Sequence, residues 1–295
     1  MHIEWLEDIL LVAETGSFSA AAERRGLTKS AFSRRLRHIE QELGVDVFDR
    51  ACKPARLHPG ILTQKDSIFR ALGQVNDVIR DLQHSDRLAQ EVIRIGTTHN
   101  FSLTRVPDLT AKARAVVPKL VTRIIPRDRD DAIGMLLSRS VDIAIVPRLK
   151  GWRDALAPEV VETIDIGTDM LAPFATKDVK ARLHSNPAGQ INVVLSPNNS
   201  FLRRVLEHRV LPETRRKAPL SPVDVSGSTI GLMGYVAKGF GVGWLPAGLV
   251  EWCAAHKELH NLSDMLPYDQ LTVSLVRLRD RTNPVHQSIW EAMAQ

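Results

Sequence analysis

Phe18-Ser19-Ala20-Ala21-Ala22-Glu23-Arg24-Arg25-Gly26-Leu27-Thr28-Lys29-Ser30-Ala31-Phe32-Ser33-Arg34-Arg35-Leu36-Arg37-His38-Ile39-Glu40-Gln41-Glu42-Leu43-Gly44 is the stretch on which the fold turns. Ser19 opens a short helix with Ala21 and Ala22 as its small buried face, and Gly26 supplies the turn after it. Thr28 is placed to cap a further helix from Lys29 to about Leu43, which Gly44 stops. Two helices around a tight glycine-containing turn predict a helix-turn-helix. At about 100° per residue, Phe32, Leu36, Ile39 and Leu43 share one narrow stripe and face a core. The opposite face carries Ser30, Arg34, Arg37 and Gln41, flanked by Ser33, Arg35 and His38. Read by itself, a basic face is an ordinary solvated surface; cap, turn, small second helix and polar stripe together favour a groove-reading helix. Lys29, Ser30 and Arg34 are expected at base edges, and Ser33, Arg35 and Arg37 along the phosphate backbone, with Thr28 in the same interface.

Moving outward, Ile3, Leu6, Leu10 and Ala13 form a preceding apolar stripe, with Ile9 beside them, that Gly16 ends. After Gly44, Val45–Arg50 and Ala51–Leu57 read as two short strands of a wing whose tip holds Cys52, Lys53 and Pro54. Arg50 and Lys53 are placed to enter an adjacent minor groove. Cys52, among these bases, is either an oxidant-responsive thiolate or a plain reduced thiol. Phe18–Ala22, Leu27–Leu36, Ile39-Glu40, Leu43-Gly44-Val45 and Phe48-Asp49-Arg50, in this order and spacing, resemble the LysR-type transcriptional regulators. The family usually shows Leu-Thr-x-x-Gly after the wing, where this chain has Leu57-His58-Pro59-Gly60.

Ile61, Ile68, Leu72, Val75, Ile79 and Leu82 then make an a/d seam broken at Lys65. Spacing alone leaves intradomain packing and a coiled coil equally open. The resemblance implies a linker helix that pairs two chains, with Gln83–Glu91 as hinge.

Beyond it, apolar strands at Val92–Gly96, Leu120–Ile125, Val141–Val146, Ile164–Phe174, Ile191–Leu195, Pro222–Val225, Val242–Leu245 and Leu271–Arg277 alternate with helices, which predicts βαβ units and parallel sheet. The helices include Asp130–Leu137, Phe201–His208, Thr229–Lys238 and one from Pro246-Ala247 to His256. Two α/β lobes would place ligands at strand carboxyl ends near helix N-termini. Thr97, Thr98, His99, Asn100 and Ser102 stand there in lobe one, and Ser196, Asn199, Ser226 and Ser228 in lobe two. Without the family these are plain helix caps; the resemblance implies that they line an effector cleft, the effector being a small molecule, and free N–H groups at helix N-termini favour an anionic one. The fold class expected is α+β multidomain: a winged helix-turn-helix (1–58), a linker helix and hinge (59–90), and a two-lobed, periplasmic-binding-protein-like effector domain (91–295). Lobe one covers about 91–162 and 267–295, lobe two about 163–266.

Composition bounds the rest. The chain has 295 residues, 44% hydrophobic and 25% charged, which suits two globular domains and excludes a disordered tail. Net charge is +5; the surplus that matters lies in Arg24, Arg25, Lys29, Arg34, Arg35, Arg37, Arg50, Lys53 and Arg56. No apolar run reaches a membrane span and no basic leader precedes the first helix, so a cytoplasmic protein is expected. Two distant cysteines make no disulfide framework. Cys253, His256 and His260 step by three and four and would share a helical face, but no fourth ligand accompanies them and no metal is expected. Gly239-Phe240-Gly241-Val242-Gly243 lacks the strand-glycine-helix order of a phosphate loop. Without a nucleophile elbow, a His-Glu-x-x-His pair, a Walker loop or a dinucleotide fingerprint, neither catalysis nor a cofactor is expected. The reading is a homodimeric or homotetrameric regulator on double-stranded DNA. The alternatives are a solute-sensing module acting through protein contacts and, from Arg281-Thr282-Asn283-Pro284-Val285, which resembles the family's hypochlorite-responsive branch, an oxidant-sensing regulator without a ligand.

Overall fold

The structure, a computed structural model, describes residues 3–49, 56–62, 64, 67, 68, 71–73, 75, 91–152, 157–198, 200–253, 258–280 and 284–294. It divides into two units, Met1–Leu88 with Leu137–Ser140, and Ala89–Leu136 with Val141–Gln295.

In the first unit, α1 (Ile3–Thr15), α2 (Phe18–Arg24) and α3 (Lys29–Leu43) follow the predicted order. The chain leaves α2 through Gly26 at φ +67°, with Gly26 N–H donating to the Glu23 carbonyl and Leu27 N–H to that of Ala22. This paired closure satisfies helix-end carbonyls and needs the left-handed residue that glycine supplies. The Thr28 hydroxyl accepts the Ala31 N–H at 3.2 Å, and Gly44 closes α3 at φ +68°. Phe32, Leu36 and Ile39 are completely buried against Ile9, Val12, Ala21 and Ala22. The wing is an antiparallel pair, β1 (Phe48–Asp49) and β2 (Arg56–Leu57), with Phe48 opposite Leu57. Glu40 on α3 holds its base, one carboxylate oxygen accepting the N–H groups of Val47 and Phe48 at 3.2 and 3.1 Å.

The expected pairing seam is divided. Ile61 and Ile68 pack on the winged core and Leu72 packs with Leu10, so these three face their own domain rather than another chain. The heptad spacing is real; the nearest apolar surface takes its first half. Val75 is half-buried, and Ile79 and Leu82 lie outside the described residues.

The second unit carries one sheet in the order β4-β3-β5-β11-β6-β9-β7-β8, with β10 added on β6. β3 (Val92–Thr97) runs parallel to β4 (Val121–Pro126) and β5 (Ile143–Arg148), and β7 (Ile191–Leu195) parallel to β8 (Leu220–Val225) and β9 (Val242–Pro246). Between these triplets run the long β6 (Val161–Thr176) and β11 (Asp269–Leu278), antiparallel to each other. The two halves have separate cores: Ile93, Ile95, Phe101, Ile145, Leu275 and Trp290 in one, and Leu171, Val193, Phe201, Leu211 and Trp244 in the other. Among the described residues no helix is long and apolar enough to cross a membrane.

Several expectations are corrected. The helix from Phe201 does not end at His208. Phe201–Val205 widens into a π turn, Leu206–Val210, and continues as Leu211–Lys217. Pro212 has no N–H for the His208 carbonyl, so the regular ladder cannot continue there. A helix at Lys177–Ser185 and the strand β10 (Leu259–Asn261) were not anticipated. That strand separates the metal-like trio: His260 is on β10, Cys253 ends the helix Ala247–Trp252, and His256 lies outside the described residues. Among the described residues no cluster of His, Cys, Asp and Glu is arranged to hold a metal.

Candidate functional site

The first candidate surface is the outward face of α3. Thr28, Lys29, Ser30, Arg34 and Arg37 are exposed and Ser33 is half-buried, while the apolar stripe behind them is closed to water. The hydroxyls of Thr28 and Ser30 lie 3.2 Å apart at the amino end of the helix, which presents small polar groups and backbone N–H groups together. Arg35 departs from expectation. Its Nε donates to Asp8 and its Nη2 to Glu4 at 2.8 Å, so the guanidinium is directed back to α1. Its hydrogen bonds to Glu4 and Asp8 raise its pKa above the ordinary arginine value against the opposing effect of burial. His38 likewise sits edge-on to Trp5, with ring centroids 5.7 Å apart. Arg50, Cys52 and Lys53 lie outside the described residues.

The second candidate site lies where the parallel triplets of the sensor unit end. Several of its expected residues have local duties. The Thr97 hydroxyl is buried and donates to the Ile145 carbonyl at 2.8 Å. Ser102 donates to the His99 carbonyl at 2.7 Å, and Asn100 is buried. Ser228 caps the helix Thr229–Ala237 by accepting the Gly231 N–H at 3.0 Å, and Ser226 donates to the Ser228 carbonyl. A Cβ on Gly231 would come within 2.5 Å of the Ser226 hydroxyl, so the two serines wrap a position that only glycine fits. These residues are capping and sheet groups because a strand-to-helix turn must satisfy its own N–H groups before it can offer any to a ligand. His99 is exposed, and Asn199 lies outside the described residues.

Thr98 and Ser196 are different. Each hydroxyl oxygen is buried and has no hydrogen-bond partner among the described residues. They stand at the carboxyl ends of β3 and β7, one in each half of the sheet. A buried hydroxyl without a partner costs about 1–3 kcal/mol, so such a group calls for an outside donor or acceptor.

Sequence reasoning missed the residues that connect the halves at this edge. Asp128, just beyond β4, accepts the Phe201 N–H at 3.2 Å. Burial pushes the Asp128 carboxyl above its ordinary range, against the N–H groups of Arg129 and Phe201 that favour its charge, and Asp130 and Asp131 add repulsion. The Arg129 guanidinium covers the Phe201 ring at 4.8 Å and donates to the Pro147 carbonyl at 2.9 Å. Arg204 pairs with Asp130, and Trp152 lies 6.0 Å from Phe201 and 5.8 Å from His208, centroid to centroid. The strand-end rule applied to β4 as well as to β3 would have found Asp128 and Arg129; the aromatic contacts carry no local sequence signal.

A capped helix-turn-helix with a polar outer face, in one chain with an α/β unit of two sheet halves, defines the class of DNA-binding regulators that carry their own sensor domain. The family follows from direct comparison. Residues 3–59 match the model of the bacterial regulatory helix-turn-helix protein, lysR family, and residues 86–295 match the LysR substrate binding domain. The chain therefore belongs to the LysR family and is a LysR-type transcriptional regulator. It is 25% identical to the HTH-type transcriptional regulator YjiE of Escherichia coli over 100% of this chain and 95% of that protein. It is 26% identical to CbbR of Xanthobacter flavus over 96% and 84% respectively. In fold it is similar to DarR of Vibrio fischeri, solved in complex with DNA (TM-score 0.58, 23% identity, covering 100% of this chain and 99% of that one). It is also similar to full-length HypT of Salmonella typhimurium, described as a hypochlorite-specific LysR-type regulator (TM-score 0.57, 21% identity, covering 100% and 98%).

Proposed function

We propose that the chain binds double-stranded operator DNA through α3 and the wing, as a homodimer or homotetramer in the cytoplasm. A small molecule held between the two sheet halves biases its output, and the protein carries out no catalysis of its own. The observation that supports this best is the division of α3. Its inner stripe of Phe32, Leu36 and Ile39 is fully buried, and its outer face offers Lys29, Ser30, Arg34 and Arg37. Lys29, Ser30 and Arg34, nearest the capped end, read base edges; Arg37 and the wing bases Arg50 and Lys53 hold phosphates. Chain pairing falls to the later part of the linker seam, Val75, Ile79 and Leu82, because its earlier part is engaged in the winged core. In the sensor unit Thr98 and Ser196 contact the effector directly, and His99 and Asn199 line its entrance. A ligand contacting both halves shifts their relative closure, which is how binding there changes the state of the whole protein.

The test is titration of the full chain into duplex DNA at several salt concentrations. Sequence-preferring binding is expected, with log affinity falling by about 0.9 per phosphate contact for each tenfold rise in salt. Absence of any preferred duplex overturns the reading. The likeness to HypT, described as hypochlorite-specific, keeps an oxidant-sensing alternative in view; Met233 and Met293 are buried in the sensor cores, while Met135, Met170 and Met265 are half-buried.

A further inference from the structure

The Asp8 carboxylate on α1 is completely buried, and each of its oxygens is held by a different arginine. Oδ1 accepts from Arg25 Nε at 2.7 Å and Oδ2 from Arg35 Nε. Both guanidiniums use a second nitrogen on the same helix: Arg25 Nη2 meets Glu7 at 2.9 Å and Arg35 Nη2 meets Glu4 at 2.8 Å. Arg25 caps the carboxyl end of α2 and opens the turn, and Arg35 lies in the middle of α3. One carboxylate thus ties α1 to both helices of the helix-turn-helix.

Apolar packing sets the coarse facing of α3. The stripe of Phe32, Leu36 and Ile39 turns one side of the helix to the core, but the hydrophobic driving force is non-directional and specifies the exact rotation less sharply than a directional contact does. A guanidinium edge held by two carboxylates is directional and planar. Arg35 adjoins Leu36, about 100° around the helix from it, so fixing Arg35 fixes the exact angle at which the outward residues are presented. We propose that Asp8 is a positioning residue for DNA reading: through Arg35 it sets the rotation of α3, and through Arg25 the angle of the turn, so that Lys29, Ser30 and Arg34 meet base edges in register. Arg35 works inward and makes no phosphate contact. The proposal rests on the reading of α3 as the DNA-contacting helix. It follows the general expectation that a buried ionic group adds little net stability over an apolar replacement while specifying one arrangement.

The experiment uses full-length protein and a duplex recovered by the wild type from a random-sequence pool, against a scrambled duplex of the same composition. Asp8→Asn removes the charge and keeps the shape. The double variant Asp8→Leu with Arg35→Met replaces the pair by apolar groups and stays folded if Asp8→Asn does not. Arg37→Ala serves as the phosphate-contact reference. The expected result is a loss of about tenfold or more in preference for the selected duplex, the scale of one base-edge contact. Affinity for the scrambled duplex should stay within about twofold, with the salt slope of the double variant unchanged. A salt slope lowered in the double variant by the amount seen for Arg37→Ala places Arg35 on phosphate and overturns the proposal. So does a folded double variant that keeps the wild-type preference. If the wild type itself recovers no preferred duplex, the reading of α3 fails and the proposal falls with it; a wild type that does recover one, beside unaffected variants, refutes the role of Asp8 alone.

Discussion

Replacing the unpartnered hydroxyls of the sensor unit should strengthen the empty protein and weaken its response. Thr98 Oγ1 and Ser196 Oγ are buried with no hydrogen-bond partner among the described residues, and Thr98 is only 8% exposed. Leaving such a group unmet costs about 1–3 kcal/mol, whereas a group of the same shape without the hydroxyl has nothing to desolvate. Thr98→Val is nearly isosteric, and Ser196→Ala deletes one atom from an otherwise packed turn. Each is expected to stabilise the unliganded sensor by about 1 kcal/mol, which in a unit of roughly 200 residues raises Tm by about 2–4 °C. Ligand at a hundred times its Kd adds about 2.7 kcal/mol to the wild type, and the variants should lose much of that gain. The assay is thermal and denaturant unfolding of the full chain, with and without a ligand found by thermal-shift screening of small metabolites. Destabilisation of both variants by more than about 1 kcal/mol would show that the hydroxyls are already satisfied, and the reasoning would be wrong. A ligand-induced shift that survives in both would remove them from the site.

Other tests address the remaining parts. Phe32→Ala empties the centre of the winged core, where Phe32 is 0% exposed, and should cost about 3–5 kcal/mol in chemical denaturation of the first unit, with loss of duplex binding at temperatures where the wild type binds. Arg37→Ala should lower the salt slope by about 0.9 per protomer and weaken all duplexes similarly, as a phosphate contact does. Asp169 gives a pH signature. Burial raises its carboxyl above the ordinary 3.8, outweighing the N–H groups of Gly248 and Met170 and the nearby charge of Arg105. The folded state therefore binds this proton more tightly than the unfolded one, and the contribution to stability declines as pH rises from the ordinary value through the raised one. Asp169→Asn keeps an acceptor for Gly248 and removes the charge. Its Tm should exceed that of the wild type near neutrality, and the difference should shrink as pH falls to about 4. A constant difference across that range would show that the carboxyl titrates normally.

How far the sequence discloses this molecule depends on the range of the interaction concerned. α3 is legible because its cap, stripe and stop all lie within seventeen positions, from Thr28 to Gly44, and all agree. The direction of Arg35 is not, because a helical wheel puts it on a flank where either outcome is allowed, and its partner Asp8 lies 27 residues away in another helix. The linker seam is legible as a period but not as a partner: Ile61 and Ile68 obey the heptad and pack on the winged core. In the sensor unit the order of strands is plain from the apolar runs, while which of several turn serines is satisfied locally and which is left without a partner is not. Ser228 stands directly before its helix and accepts the Gly231 N–H, the role that Ser200 takes before Phe201, whereas Ser196, at the strand end of that same turn, has a buried hydroxyl with no partner among the described residues.

The same contrast changes what the basic N-terminal segment offers to DNA. Counted in sequence, Arg25, Lys29, Arg34, Arg35 and Arg37 are equivalent positive charges. In the folded unit Arg25 and Arg35 face the buried Asp8 and are neutralised by it together with Glu7 and Glu4. Lys29, Arg34 and Arg37 remain on the exposed face. A phosphate backbone responds to charges that reach it, so on the proposed reading Arg25 and Arg35 add little to non-specific affinity, which falls to outward bases such as Arg37. The first group contributes geometry. A protein that must find one site among many gains more from this division than from added charge, because further phosphate contacts strengthen every duplex alike, whereas a fixed helix rotation strengthens only those whose base edges match.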